Sequence, residues 1–272
     1  MLNKAGVNRL SIGVQSFRDE ELLAMNRLHN AEQAESCIKR AQDIGITEIS
    51  IDLMYGIPNQ ENKHWISNLE KAKTLEVQHI SAYALTVEES TSLYHLIRKK
   101  KISNVSDELA AEHFTLLRSQ IELWNWEGYE VSNYCKPGHR SKHNTGYWNG
   151  NAYIGVGPGA HSFDGANKRR INLPSLLGYV KGLSVKEQTW FEEEILSEED
   201  LFNEKVMTSL RCTDGLNLQT LESRFGTMVV KELLEELNKI PESYYLLKEN
   251  KITLTEQGLF FADGIASQLF KV

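Results

Sequence analysis

Between positions 9 and 85 the spacing of apolar residues switches back and forth between two and about 3.6, the periods of a strand and of a helix. In Arg9–Gln15, Leu10, Ile12 and Val14 share one face, and Ser11, Gly13 and Gln15 share the other. The same parity recurs at 48–54, where Ile49, Ile51 and Leu53 point one way and Ser50, Asp52 and Met54 the other. A third strand is predicted over His79–Leu85. Between these strands fall predicted helices over Asp19–Asn26, over Ala31–Ile44 with Asn30 as its cap and Gly45 as its stop, and over Lys63–Leu75. The last carries Trp65, Ile66, Leu69 and Ala72 at helical spacing. Strands alternating with helices through short links predict βα units and a parallel sheet.

Beyond that segment, helices are predicted over Thr91–Lys101 and Asp107–Glu127, then a strand over Tyr129–Tyr134. Residues 136–174 are irregular and rich in Gly, Asn and aromatic residues, which marks a functional loop. Composition shifts near Leu183. Helices follow over Leu196–Arg211, Gln219–Phe225 and Val229–Lys239, then a hairpin over Tyr244–Thr255 turning at Glu249 and Asn250, then a last helix over Gly258–Phe270. Three helices and a hairpin outline a winged helix. Its helix from Val229 is acidic over Val229–Glu236, whereas a DNA-reading helix is basic, so the module reads as a packing domain.

The totals narrow the class. The chain has 272 residues, 41% hydrophobic and 25% charged, as in an ordinary globular protein. A net charge of −7, with no basic block beyond Arg98–Lys101, argues against a duplex-binding protein. No apolar run is long enough to span a membrane and no signal region opens the chain, so the expected location is cytoplasmic. The cysteines are Cys37, Cys135 and Cys212, too far apart in sequence for a local zinc or iron–sulfur motif. The informative residue is Asp52, a carboxylate inside an apolar strand. A bare buried carboxylate is costly, so it must be paired or placed at a strand end where ligands bind. A structural aspartate that caps the next turn is the alternative.

Three segments, Arg9–Phe17, Met25–His29 and Ile51–Pro58, together resemble the oxygen-independent coproporphyrinogen III oxidase family. This is the radical S-adenosylmethionine (SAM) family that includes the bacterial haem chaperones. The motif His143–Trp148, followed by Gly155–Phe163, is more similar to the haem-chaperone branch than to the oxidase branch. The resemblance covers nearly the whole chain. It implies an α/β fold: a partial radical-SAM (β/α) barrel of later strands with an extended loop region over 1–183, and a small winged-helix-like C-terminal domain over 184–272. It implies a SAM site in which Gln15 hydrogen-bonds SAM, Arg27 meets its carboxylate and Asp52 accepts from the ribose hydroxyls, with Met54 and Thr86 lining the adenine pocket. It places His143 at a haem-linked position, with Tyr147 and Trp148 flanking a porphyrin face. His161 and its neighbouring glycines read as a tight turn, and the glycines are no phosphate cradle, since no GK[ST] follows.

The family also builds a [4Fe–4S] cluster on three closely spaced cysteines, and no such motif occurs here. The expectation is a C-terminal part that does not itself cleave SAM, with the strand at 9–15 left as an open parallel edge that is either covered by another chain, as in a homodimer, or accompanied by poor order over residues 1–20. In the chaperone branch haem is bound and handed on. In the oxidase branch a 5′-deoxyadenosyl radical initiates decarboxylation of a propionate. The remaining readings are a non-enzymatic binding module and a sugar-phosphate barrel enzyme. The second of these lacks a phosphate nest.

Overall fold

The computed structural model describes residues 2–89, 91–100, 102–184 and 190–271. They form two compact units, one ending at Arg140 and one beginning at Ser141. The sequence placed its boundary at 183/184; the residues between these two points pack within the second unit.

The first unit runs β1 (Arg9–Gln15), α1 (Asp19–Ala24), α2 (Ala31–Asp43), β2 (Glu48–Tyr55), α3 (Asn62–Thr74), β3 (His79–Ala84), α4 (Ser92–Arg98), α5 (Asp107–Leu123), β4 (Glu127–Gly128) and β5 (Asn133–Cys135). Its sheet has the order β1-β2-β3-β5-β4. The first three strands are parallel and the last two antiparallel. The helix α2 begins where Asn30 predicts: its Oδ1 accepts from Gln33 N at 2.9 Å while Gln33 Oε1 accepts from Asn30 N at 3.0 Å. It ends at Gly45, whose φ of +86° suits a residue without a side chain. The core carries Ile49, Ile51, Leu53 and Ile80 of the sheet and Trp65 and Leu69 of α3, all without exposed surface. The indole Nε1 of Trp65 donates to the His113 carbonyl at 2.9 Å, so its burial strands no polar group. The single strand expected over Tyr129–Tyr134 is instead a hairpin of β4 and β5. The buried Glu130 and Asn133 turn inward onto each other rather than alternating across a sheet.

The second unit runs α6 (Lys142–Trp148), β6 (His161–Phe163), β7 (Lys168–Asn172), α7 (Leu176–Ser184), β8 (Phe191–Ile195), α8 (Glu198–Leu210), β9 (Leu216–Asn217), α9 (Leu218–Phe225), α10 (Thr227–Leu237), β10 (Tyr245–Lys248), β11 (Lys251–Leu254), α11 (Glu256–Phe260) and α12 (Ala262–Gln268). One antiparallel sheet joins β6, β7 and β8, and another has the order β10-β11-β9. The stretch expected to be irregular thus holds a helix and two strands. The β10–β11 hairpin turns at Glu249 and Asn250 as predicted, with φ of +52° and +58°. Phe202, Val206, Leu210, Leu221, Leu237 and Ile252 form the core that α8, α9 and α10 share with this hairpin. Among the described residues no helix is long and apolar enough to cross a membrane.

Candidate functional site

Because β1, β2 and β3 are parallel, their C-terminal ends share one edge, the position where open α/β sheets bind ligands. The register sets Ser11, Ser50 and His79 in one cross-strand row and Asp52 beside Ser81 in the next. These side chains share a face. The opposite face, Ile49, Ile51 and Leu53, is fully buried, whereas Asp52 and Met54 remain half-buried. The face is polar by construction. Ser50 Oγ lies 2.7 Å from His79 Nδ1, and His79 Nε2 lies 2.9 Å from the Tyr129 hydroxyl. Burial pushes the His79 imidazole down to about 3, so it is neutral. Burial raises the Asp52 carboxyl above its ordinary range, and hydrogen bonds from Ser81 and Ser11 pull it part of the way back.

Gln15 ends β1 in the left-handed region, at φ +68°. Its amide nitrogen lies 3.1 Å from the point where a Cβ on Gly13 would stand, so the glycine leaves room for the amide over the face that carries Ser11. The turn after it is fixed by a buried carboxylate. Glu21 Oε2 accepts from Ser16 Oγ at 2.5 Å, from Asn68 Nδ2 at 2.9 Å and from Gln60 Nε2 at 3.1 Å. Phe17 N donates to Asn68 Oδ1 at 2.8 Å. Thr86 is exposed just past β3, where Leu85 N donates to the Tyr55 carbonyl at 2.9 Å. Arg27 sits in the loop between α1 and α2, exposed, its side chain without a partner among the described residues. His29 ties that loop to β1, its Nε2 lying 3.0 Å from the Val14 carbonyl. The structure therefore brings Gln15, Asp52 and Met54 to one face and edge, sets Thr86 at the same edge, and leaves Arg27 on a tethered loop.

His143 belongs to the second unit. It is exposed in the first turn of α6, and its ring meets that of Tyr147 one helical turn on, with centroids 4.7 Å apart at 77°. Tyr147 in turn meets Tyr153 at 4.7 Å. A shallow hollow of about 620 Å³ opens beside them. Its rim carries Ile154 and Val156, 88% and 84% exposed, an unusual display for two branched aliphatic side chains. Trp148 does not join this face. Its ring lies under the Arg211 guanidinium at 5.5 Å and lines a separate cavity of about 570 Å³ with Phe163, Leu221 and Phe225. The buried Trp148 Nε1 has no hydrogen-bond partner among the described residues. Nothing in the sequence pattern announced this second cavity.

Residues 1–72 match the Radical SAM superfamily and residues 196–261 the HemN C-terminal domain. The chain is 32% identical over 261 residues to the heme chaperone HemW of Bacillus subtilis, covering 93% of this chain and 69% of that protein. This chain belongs to the haem-chaperone family of radical SAM proteins. Within the same family it is 30% identical to HemW of Haemophilus influenzae, over 96% of this chain and 67% of that protein. It is 31% identical to the Bos taurus radical S-adenosyl methionine domain-containing protein 1, mitochondrial, over 97% of this chain and 62% of the relative. The solved structure of the Escherichia coli coproporphyrinogen III oxidase HemN superposes with a TM-score of 0.78 at 19% identity, covering 99% of this chain and 65% of that one, and so shares the fold. The chain spans about two-thirds of the length of its haem-chaperone relatives.

The radical SAM family implies an iron–sulfur cluster. Among the described residues no three His, Cys, Asp or Glu side chains lie close enough together to hold a metal ion. Cys37 lies on α2, Cys135 is buried in β5 and Cys212 follows α8. Burial raises the Cys135 thiol to about 11, the opposite of what a thiolate ligand needs. These three cysteines do not fit a cluster.

Proposed function

We propose that this chain binds haem on the α6 face of its second unit and SAM at the strand ends of its first. The observation that carries the haem assignment is His143, an exposed imidazole with both ring nitrogens uncommitted among the described residues, beside a hollow rimmed by bare Ile154 and Val156. A neutral imidazole is a common haem ligand, and exposed aliphatic surface suits a porphyrin face. The HemW relatives are named as haem chaperones, which supports the same reading.

At the other site, Asp52 as a carboxylate accepts both ribose hydroxyls, the Gln15 amide pairs with a polar edge of SAM, and Arg27 closes from its loop onto the carboxylate of the methionine half. Met54 and Thr86 contact the adenine. SAM supplies a nucleoside that these residues bind and orient. In this reading β1–β3 with their crossover helices correspond to later strands of a (β/α) barrel, and α8, α9 and α10 with the β10–β11 hairpin to a winged-helix-like module. The β1 edge is then covered by further strands or by a second copy of this chain.

Titration of ferric haem into the purified chain, followed at the Soret band, tests the haem assignment. The wild type is expected to give a saturable red shift that His143→Ala diminishes or displaces while its circular dichroism stays unchanged. A folded wild type with no haem-dependent Soret change would leave a non-enzymatic binding module as the better description.

A further inference from the structure

We propose that His161 is a second ligand to the haem iron, so that the haem carried on the α6 face is held by two imidazoles. This rests on the haem reading of His143 and extends it to a residue that the sequence pattern treats as part of a turn.

The first observation is placement. His143 and His161 line the same hollow of about 620 Å³, although 18 positions separate them in sequence. His143 comes from α6. His161 opens β6, where it shares a face with Phe163, two residues on. The cross-strand partners of those two residues on β7 are Ile171 and Arg169, which line the same hollow. An unbroken aromatic column joins the two walls. His143 meets Tyr147, Tyr147 meets Tyr153, and Tyr153 meets Phe163 at 6.2 Å. The helix and the sheet are thus packed on each other through Tyr147, Tyr153 and Phe163.

The second observation is the mount. His161 sits on a backbone built with unusual care for an exposed residue. A Cβ on Gly155 would stand 2.1 Å from the His161 carbonyl oxygen, so only glycine lets the 154–156 segment lie directly against it. Gly155 N donates to Ser162 Oγ at 2.9 Å. Asn172, with 1% of its surface exposed, donates from Nδ2 to the Gly157 carbonyl at 2.9 Å and also reaches the Gly155 carbonyl at 3.4 Å. A buried amide spent on two loop carbonyls holds the Ile154–Val156 segment and His161 as one piece. The consequence is that the bare aliphatic side chains and the second imidazole keep a fixed relation to each other.

The third observation is availability. Among the described residues neither ring nitrogen of His161 has a hydrogen-bond or ion-pair partner, and the same holds for His143. Two uncommitted imidazoles presented to one open hollow beside bare aliphatic surface match the donor set of a six-coordinate haem. Arg169 also lines the hollow, but its guanidinium is already engaged by Glu204 at 2.8 Å and Glu194 at 3.5 Å.

The test is the spin state of the haem complex of the full 272-residue chain, read by absorption and electron paramagnetic resonance with ferric haem as the probe. The wild-type complex is expected to be low-spin and six-coordinate. His161→Ala is expected to retain haem but convert to high-spin, with low-spin character restored by added imidazole. His161→Met, which exchanges one ligand for another, is expected to give a low-spin complex with an altered spectrum. Two results overturn the assignment while leaving haem binding through His143 intact: a high-spin wild-type complex, or an unchanged low-spin spectrum in His161→Ala. Failure of the wild type to bind haem at all overturns the underlying reading as well, so the two failures are distinguishable.

Discussion

Asp52 and His79 occupy the same polar face, and burial drives them in opposite directions. The folded state holds the Asp52 proton more tightly than an unfolded chain does, so ionised Asp52 opposes folding at neutral pH. A residue kept at a cost to stability points to a ligand. Asp52→Asn is therefore expected to leave the melting temperature at pH 7 equal or higher while weakening SAM binding by roughly tenfold or more, as for loss of a charge-assisted hydrogen bond. Isothermal titration paired with thermal denaturation checks both; a lower melting temperature with unchanged SAM affinity would mark Asp52 as structural. For His79 the unfolded chain takes up a proton below its ordinary pKa while the folded chain resists until about 3. Its contribution to stability is complete above about pH 6.5 and is lost at about 1.4 kcal/mol per pH unit as the pH falls toward the folded value. His79→Gln, which can still bond Ser50 and Tyr129, is expected to flatten the acid side of the stability curve by that amount, measured by urea unfolding at stepped pH. Parallel curves for the two proteins would contradict the buried neutral imidazole. Asp52 stood out in the sequence because a carboxylate in an apolar strand demands an explanation, and the half-buried position on the polar face is what the structure adds. The outward face of His143 and the inward turn of Trp148 were not, because they depend on how α6 is rotated on its neighbours.

At the scale of elements, legibility followed the origin of the stabilisation. The strands and helices from β1 to β3 were readable because apolar period and capping residues agree, as at Asn30 and Gly45. The β6–β8 sheet was missed because opposite charges rather than alternating apolar residues pair its strands. Lys168 meets Glu193 at 2.9 Å, Arg169 meets Glu194 at 3.5 Å, and the Arg170 guanidinium lies 3.6 Å from the centroid of the Phe191 ring. A run of basic residues and a run of acidic ones give no period-two hydrophobic signal. The single helix expected over Gly258–Phe270 is broken at Phe261, whose ring stacks on Tyr244 at 5.4 Å and 26°. The most exacting contact of the β6 turn is Gly155 against His161. Gly155→Ala is expected to cost about 1–3 kcal/mol, as overpacking does, because backbone rather than a flexible side chain must move. A urea midpoint equal to that of the wild type would show that the 154–156 segment can shift freely.

For the whole molecule, the family was written in short segments whose joint occurrence carries the information: 9–17, 25–29 and 51–58 in the first unit and 143–163 in the second. The division into units was harder to read, because the composition shift near Leu183 falls inside a region already packed with the C-terminal helices. In the proposed function the two ligands fall to different units, haem to the second and SAM to the first. Hydrogen–deuterium exchange of the chain with and without ferric haem tests that division most directly. The predicted result is haem-dependent protection within 142–163, with the ends of β1, β2 and β3 unchanged. Protection confined to those strand ends, with 142–163 exchanging as in the free chain, would contradict it.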